Sequence, residues 1–100
     1  MKTKDYSSEK WQTLSAEMAG IFADFAAAMT QGLAPESNDA QALAKRLQDH
    51  ISANYYTCTN EILAYLGQMY TTDVRFRASI DRHAAGTADF VSAAIAHYCR

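Results

Sequence analysis

The sequence predicts an all-α domain, a single bundle of five helices. Three observations lead there. Apolar residues recur at three- and four-residue steps along most of the chain, which is the period of one helix face. No segment alternates apolar and polar residues as a half-buried strand does. Cap and stop residues separate the periodic segments and leave short connections, so successive helices pack as neighbours. The 100 residues are 49% hydrophobic and 20% charged, with 4 Gly and 1 Pro. A chain so composed makes one domain with a modest core that needs neither disulfide nor metal.

The first helix carries Trp11, Leu14, Met18, Ile21, Phe22, Phe25 and Met29 on one face. Ser7 suits its N-cap, and Glu9 its first turn, where a carboxylate meets the positive end of the helix dipole. Gly32 fits a left-handed stop, and Pro35 forbids continuation. Ser37 then caps a second helix with a stripe of Ala40, Leu43, Leu47, Ile51 and Tyr55, while Lys45, Arg46 and Asp49 lie off it.

The "TCT" of residues 57–59 breaks the pattern, and Thr59 caps a third helix with Glu61 in its first turn. Ile62, Leu66, Met69 and Tyr70 form one broad face of that helix, and Leu63 and Tyr65 widen it on both sides. Asp73 caps a short fourth helix that turns Phe76 and Ile80 inward. Gly86 marks the joint before a last helix with Phe90, Val91, Ala94, Ile95 and Tyr98 at helical spacing.

Several functions are excluded by what the chain lacks. A formal charge of -2 provides no basic surface for nucleic acid. No apolar run approaches the roughly 20 residues of a membrane span, and the polar start "MKTKDYSSEK" has no signal-peptide core. Cys58 and Cys99 match no metal or redox spacing, which suits free thiols in the cytoplasm. His50, His83 and His97 form no ligand set. No phosphate loop, serine–histidine arrangement or carboxylate pair stands out, so neither an enzyme nor a cofactor is expected.

Five pieces of the chain are familiar together: "YSSEKW" (6–11), "GLAPES" (32–37), "YYTCTNEI" (55–62), "LGQMYTTDVRF" (66–76) and "IDRHAAGTADFVSAAI" (80–95). In order and spacing they resemble the TipAS antibiotic-recognition domain family, and the third and fourth carry the densest matches. The resemblance implies a globin-like helical bundle that takes bulky apolar antibiotics such as thiopeptides into a cleft between helices. It also implies either the effector domain of a mercury-resistance-type transcription activator, with a DNA-binding partner chain, or a stand-alone drug-binding protein. With Met1 as a true start, the stand-alone form fits better. Some members capture the drug through a cysteine seven residues beyond the position of Cys58. That position is Tyr65 here, so non-covalent binding is expected. Val74, Thr87 and Leu47 also depart from the family's usual residues, which points to a different ligand preference.

The third helix carries more apolar surface than one core stripe requires. Tyr65 and Met69, four apart on one face, either pack against a neighbour or wall a cleft; tyrosine offers a ring and a hydroxyl, methionine an adaptable surface. Tyr55 and Tyr56 diverge by about 100°, so one joins the core and the other a rim. Trp11 is a core anchor or a lid, and Phe25 is core or the floor of a cleft. Cys58, near a helix start, is a candidate thiol nucleophile or a buried structural cysteine. The alternative to a binding protein is a helical interaction module with no ligand site.

Overall fold

The computed structural model describes residues 8–100. Its helices run in the order α1 (Ser8–Thr30), α2 (Asn38–Asn54), α3 (Asn60–Thr72), α4 (Val74–Asp81) and α5 (Thr87–Tyr98). Among the described residues there is no strand, and no helix is long and apolar enough to cross a membrane. The expected cap Ser7 lies outside the described residues.

Local chemistry sets the other helix ends. The Ser37 hydroxyl accepts from the Ala40 N–H at 3.2 Å, and the Thr59 hydroxyl from the Ile62 N–H at 3.2 Å. Each bond satisfies a donor that has no partner inside its own helix. Gly32 and Gly86 adopt φ of 87° and 90°, a left-handed conformation that costs glycine nothing. Gly86 brings no capping side chain to α5, and the Asp81 carboxylate from α4 accepts from the Ala88 N–H at 2.8 Å instead.

Asp73 serves two helices. Its N–H donates to the Met69 carbonyl at 2.9 Å and closes α3, while its carboxylate accepts from the Arg75 N–H at 2.9 Å and opens α4. A single residue therefore sets the bend between them. Arg77 braces the bend: its guanidinium donates to Asp89 at 2.8 Å and to the Thr71 carbonyl at 3.0 Å, tying α4 to α5 and to the end of α3.

The core gathers around α5, whose Ala88, Phe90, Val91, Ala94 and Ile95 are all buried and which touches each of the other helices. A helix apolar on most sides belongs in the middle. Leu14, Ile21 and Phe25 pack inward from α1 and Ala44 and Leu47 from α2.

The third helix departs from the sequence pattern. Its buried residues are Leu63, Gly67 and Tyr70, while Ile62 is exposed and Leu66 and Met69 are half-buried. Gly67 supplies the reason. A Cβ there would meet Ile95 Cγ2 at 3.0 Å, so the missing side chain lets α3 lie directly on α5 and turns the helix accordingly. Gly67→Leu is expected to destabilise the domain by about 1–3 kcal/mol in urea unfolding through overpacking. Pairing it with Ile95→Ala should cost less than the two changes summed. Additive costs would place the clash elsewhere.

Candidate functional site

The bend between α3 and α4 faces α1 and the end of α2, and there the bundle leaves space. Two adjoining hollows of about 370 Å³ and 170 Å³ share Met18, Tyr55, Tyr70 and Phe76 as lining residues. They form one cleft, since the same side chains wall both. Phe22 and Ile80 extend the wall of the larger hollow, and Tyr56 and Leu66 that of the smaller. The larger alone falls within the roughly 300–1,000 Å³ usual for drug-sized ligands.

Three aromatic rings run in succession along this wall. Phe22 and Tyr70 meet edge to face with centroids 5.5 Å apart, and Tyr70 and Phe76 at 5.8 Å. Such pairs favour tilted geometry because the rings carry opposed quadrupoles at face and edge. Phe76 remains 42% exposed, since the first turn of the short α4 carries it across the mouth of the cleft. Tyr70 is buried at the other end of the bend. Burial pushes its phenol well above the ordinary tyrosine range, so it stays neutral and can donate a hydrogen bond.

The residues singled out from sequence divide clearly. Tyr55 and Tyr56 lie at the cleft, Tyr55 half-buried and Tyr56 exposed at the rim. Trp11 stands one ring further out, packed on Tyr55 at 5.9 Å. Phe25 is a core residue, 0% exposed and edge to face with Phe90 at 6.3 Å. Tyr65 is 63% exposed and Met69 half-buried, and neither is among the residues lining the cleft. The cause is the rotation set by Gly67: Leu66 faces the cleft, and Tyr65 lies about 100° further around the helix.

Cys58 is buried, and its N–H donates to the Ser52 hydroxyl at 2.9 Å. Burial pushes its thiol up, opposite to what a nucleophilic thiolate requires. Cys58 and Cys99 are both free, and among the described residues no group of His, Cys, Asp or Glu is placed to hold a metal.

A larger groove of about 660 Å³ separates α1 from α2, but Lys10, Glu17, Lys45, Arg46 and Asp49 line it. Lys45 pairs with Asp49 at 3.0 Å and Arg46 with Asp24, leaving a solvated ionic surface. The apolar cleft at the bend is the better receptor for an apolar molecule.

Phe22 and Tyr70 are buried in the core as expected and also wall the cleft, whereas Met18 is only half-buried and Phe76 exposed; that these four meet at a cleft was not legible from spacing. One sequence signal did point there: Tyr70 and Phe76 flank the double cap Asp73 inside "LGQMYTTDVRF".

Fold and site together define a class, a helical recognition domain built around an aromatic-walled cleft. The chain belongs to the TipAS antibiotic-recognition domain family, whose model matches residues 1–98. It is 39% identical over 98 residues to the HTH-type transcriptional activator mta of Bacillus subtilis (strain 168). It is 34% identical over 94 residues to the HTH-type transcriptional activator TipA of Streptomyces coelicolor. These alignments cover 98% and 94% of this chain but 37% of each relative, so the chain spans little more than a third of their length. A solved structure of TipAS from Streptomyces lividans, in complex with nosiheptide, matches with a TM-score of 0.90 at 33% identity. That match covers 98% of this chain and 68% of the other. The five-helix, globin-like bundle implied by the sequence is the fold observed.

Proposed function

We propose that this chain binds a bulky, largely apolar antibiotic of the thiopeptide kind, or a similar amphiphile, non-covalently in the cleft at the α3–α4 bend. The observation that carries the reading is the run of Phe22, Tyr70 and Phe76 along a hollow of drug-sized volume. The structure it resembles is a complex with the thiopeptide nosiheptide. Binding removes apolar surface from water, at about 25 cal/mol per Å² before ordering costs. Tyrosine hydroxyls orient the guest. No activated thiol lies at the cleft: Cys58 is buried with its thiol pushed up, and the family's reactive position is Tyr65. The protein acts in the cytoplasm by holding the drug, not by altering it.

The relatives' names favour a second reading beside this one. They are HTH-type activators, and the matched region is a minor part of each. In a longer regulator the same cleft would sense the drug on behalf of a DNA-binding partner.

Titration with nosiheptide tests the proposal. Trp11 packs on Tyr55, which lines the cleft, so its fluorescence should respond to occupancy. A rise in melting temperature should accompany saturation, and the intact mass should show no adduct. If a panel of thiopeptides and other large apolar antibiotics changes neither fluorescence nor melting, the ligand-free interaction module is the correct reading.

A further inference from the structure

The apolar cleft has a charged end. Arg82 and His83, in the turn after α4, line the larger hollow together with the hydroxyl residues Ser15 and Ser79. No carboxylate is among the residues lining either hollow. The chain as a whole carries -2, so a cleft whose one formal charge is the Arg82 guanidinium opposes the overall balance. Arg82 is exposed and joins no ion pair among the described residues, whereas Arg46, Arg75 and Arg77 each have a carboxylate partner. Its sequence neighbour Asp81 is already engaged, accepting from the Ala88 N–H at 2.8 Å and lying 3.9 Å from Arg77.

A guanidinium offers five donors in a fixed fork that suits a carboxylate or sulfonate. Beside a low-dielectric wall its attraction for an anion is screened less than in open water. We infer that the cleft selects amphiphiles with an anionic end, the apolar body lying along Tyr70 and Phe76 and the acid group meeting Arg82. The inference rests on the cleft being the binding site and adds the ligand's charge and its orientation.

Two probes that share a ring framework separate these claims. 1-Anilinonaphthalene-8-sulfonate is anionic, and N-phenyl-1-naphthylamine lacks the sulfonate. Both brighten on entering apolar surroundings. The anionic probe should bind more tightly, and less so as salt is raised. Arg82→Gln should weaken the anionic probe about five-fold and leave the neutral one unchanged, while Arg82→Lys, which keeps the charge but not the fork, retains only part of the preference. Phe76→Ala should weaken both. The Arg82 side chain joins no ion pair and no hydrogen bond among the described residues, and an unchanged melting temperature for the variants shows that the fold does not depend on it.

Two results overturn the inference. If both probes bind but Arg82→Gln affects them alike or not at all, the charge preference is wrong and the cleft stands. If neither binds, or Phe76→Ala affects neither, the cleft itself is not the site, and the anionic preference falls with it.

Discussion

Phe25→Ala should lower the stability of the domain by about 3–5 kcal/mol, the cost of removing a fully enclosed aromatic side chain. Phe25 is 0% exposed and sits between α1 and α5, edge to face with Phe90. A collapse that refilled the space would have to move α5, and α5 is held by every other helix. A domain of this kind has only about 5–15 kcal/mol of net stability, so the variant should be close to unfolding. Its melting temperature should fall by more than about 12 °C, read with urea unfolding as a second measure. Any loss of ligand binding should follow the loss of fold and recover at lower temperature. A stable Phe25→Ala protein that cannot bind would instead make Phe25 the floor of the cleft.

Phe76→Ala should do the reverse. The ring is 42% exposed at the mouth of the cleft, so the fold loses little without it, within about 1 kcal/mol. A guest lying in the cleft would cover the part of that ring now open to water. Burying a whole aromatic side chain is worth about 1.5–3 kcal/mol; the 42% of Phe76 still open to a guest accounts for about 1 kcal/mol of that, which lowers affinity for nosiheptide by roughly three- to nine-fold. Trp11 fluorescence titration measures it, and a melting temperature lowered by less than about 8 °C, with a single cooperative transition, distinguishes it from misfolding. Tyr65→Ala provides the contrast: it should leave affinity within a factor of about two, since surface changes away from a site are nearly neutral. If Tyr65→Ala abolishes binding and Phe76→Ala does not, the site lies on the outer face of α3.

These two variants separate core from cleft along a boundary that spacing alone could not draw. Both residues sit on apolar helix faces, and both were expected to point inward. What distinguishes them is the partner across the gap. Phe25 meets Phe90, whereas Phe76 meets Tyr70 on one side and open space on the other. The same holds for the third helix, where Tyr65 looked like a wall residue and proved to be on the surface.

The helices and most of their ends are legible in the chain before it folds. Ser37, Thr59, Asp73, Gly32 and Gly86 act within a few residues of themselves, through a hydroxyl, a carboxylate or a permitted left-handed backbone. Such interactions are complete once the local chain is written down. Which residues enclose the cleft is set instead by how the helices pack. The rotation of α3 depends on the approach of Gly67 to Ile95, 28 positions away in the chain. The wall depends on rings from α1, α3 and α4 meeting across the Asp73 bend. A helix's periodicity shows that it has an apolar face, but what that face meets is set by the packing of the other helices.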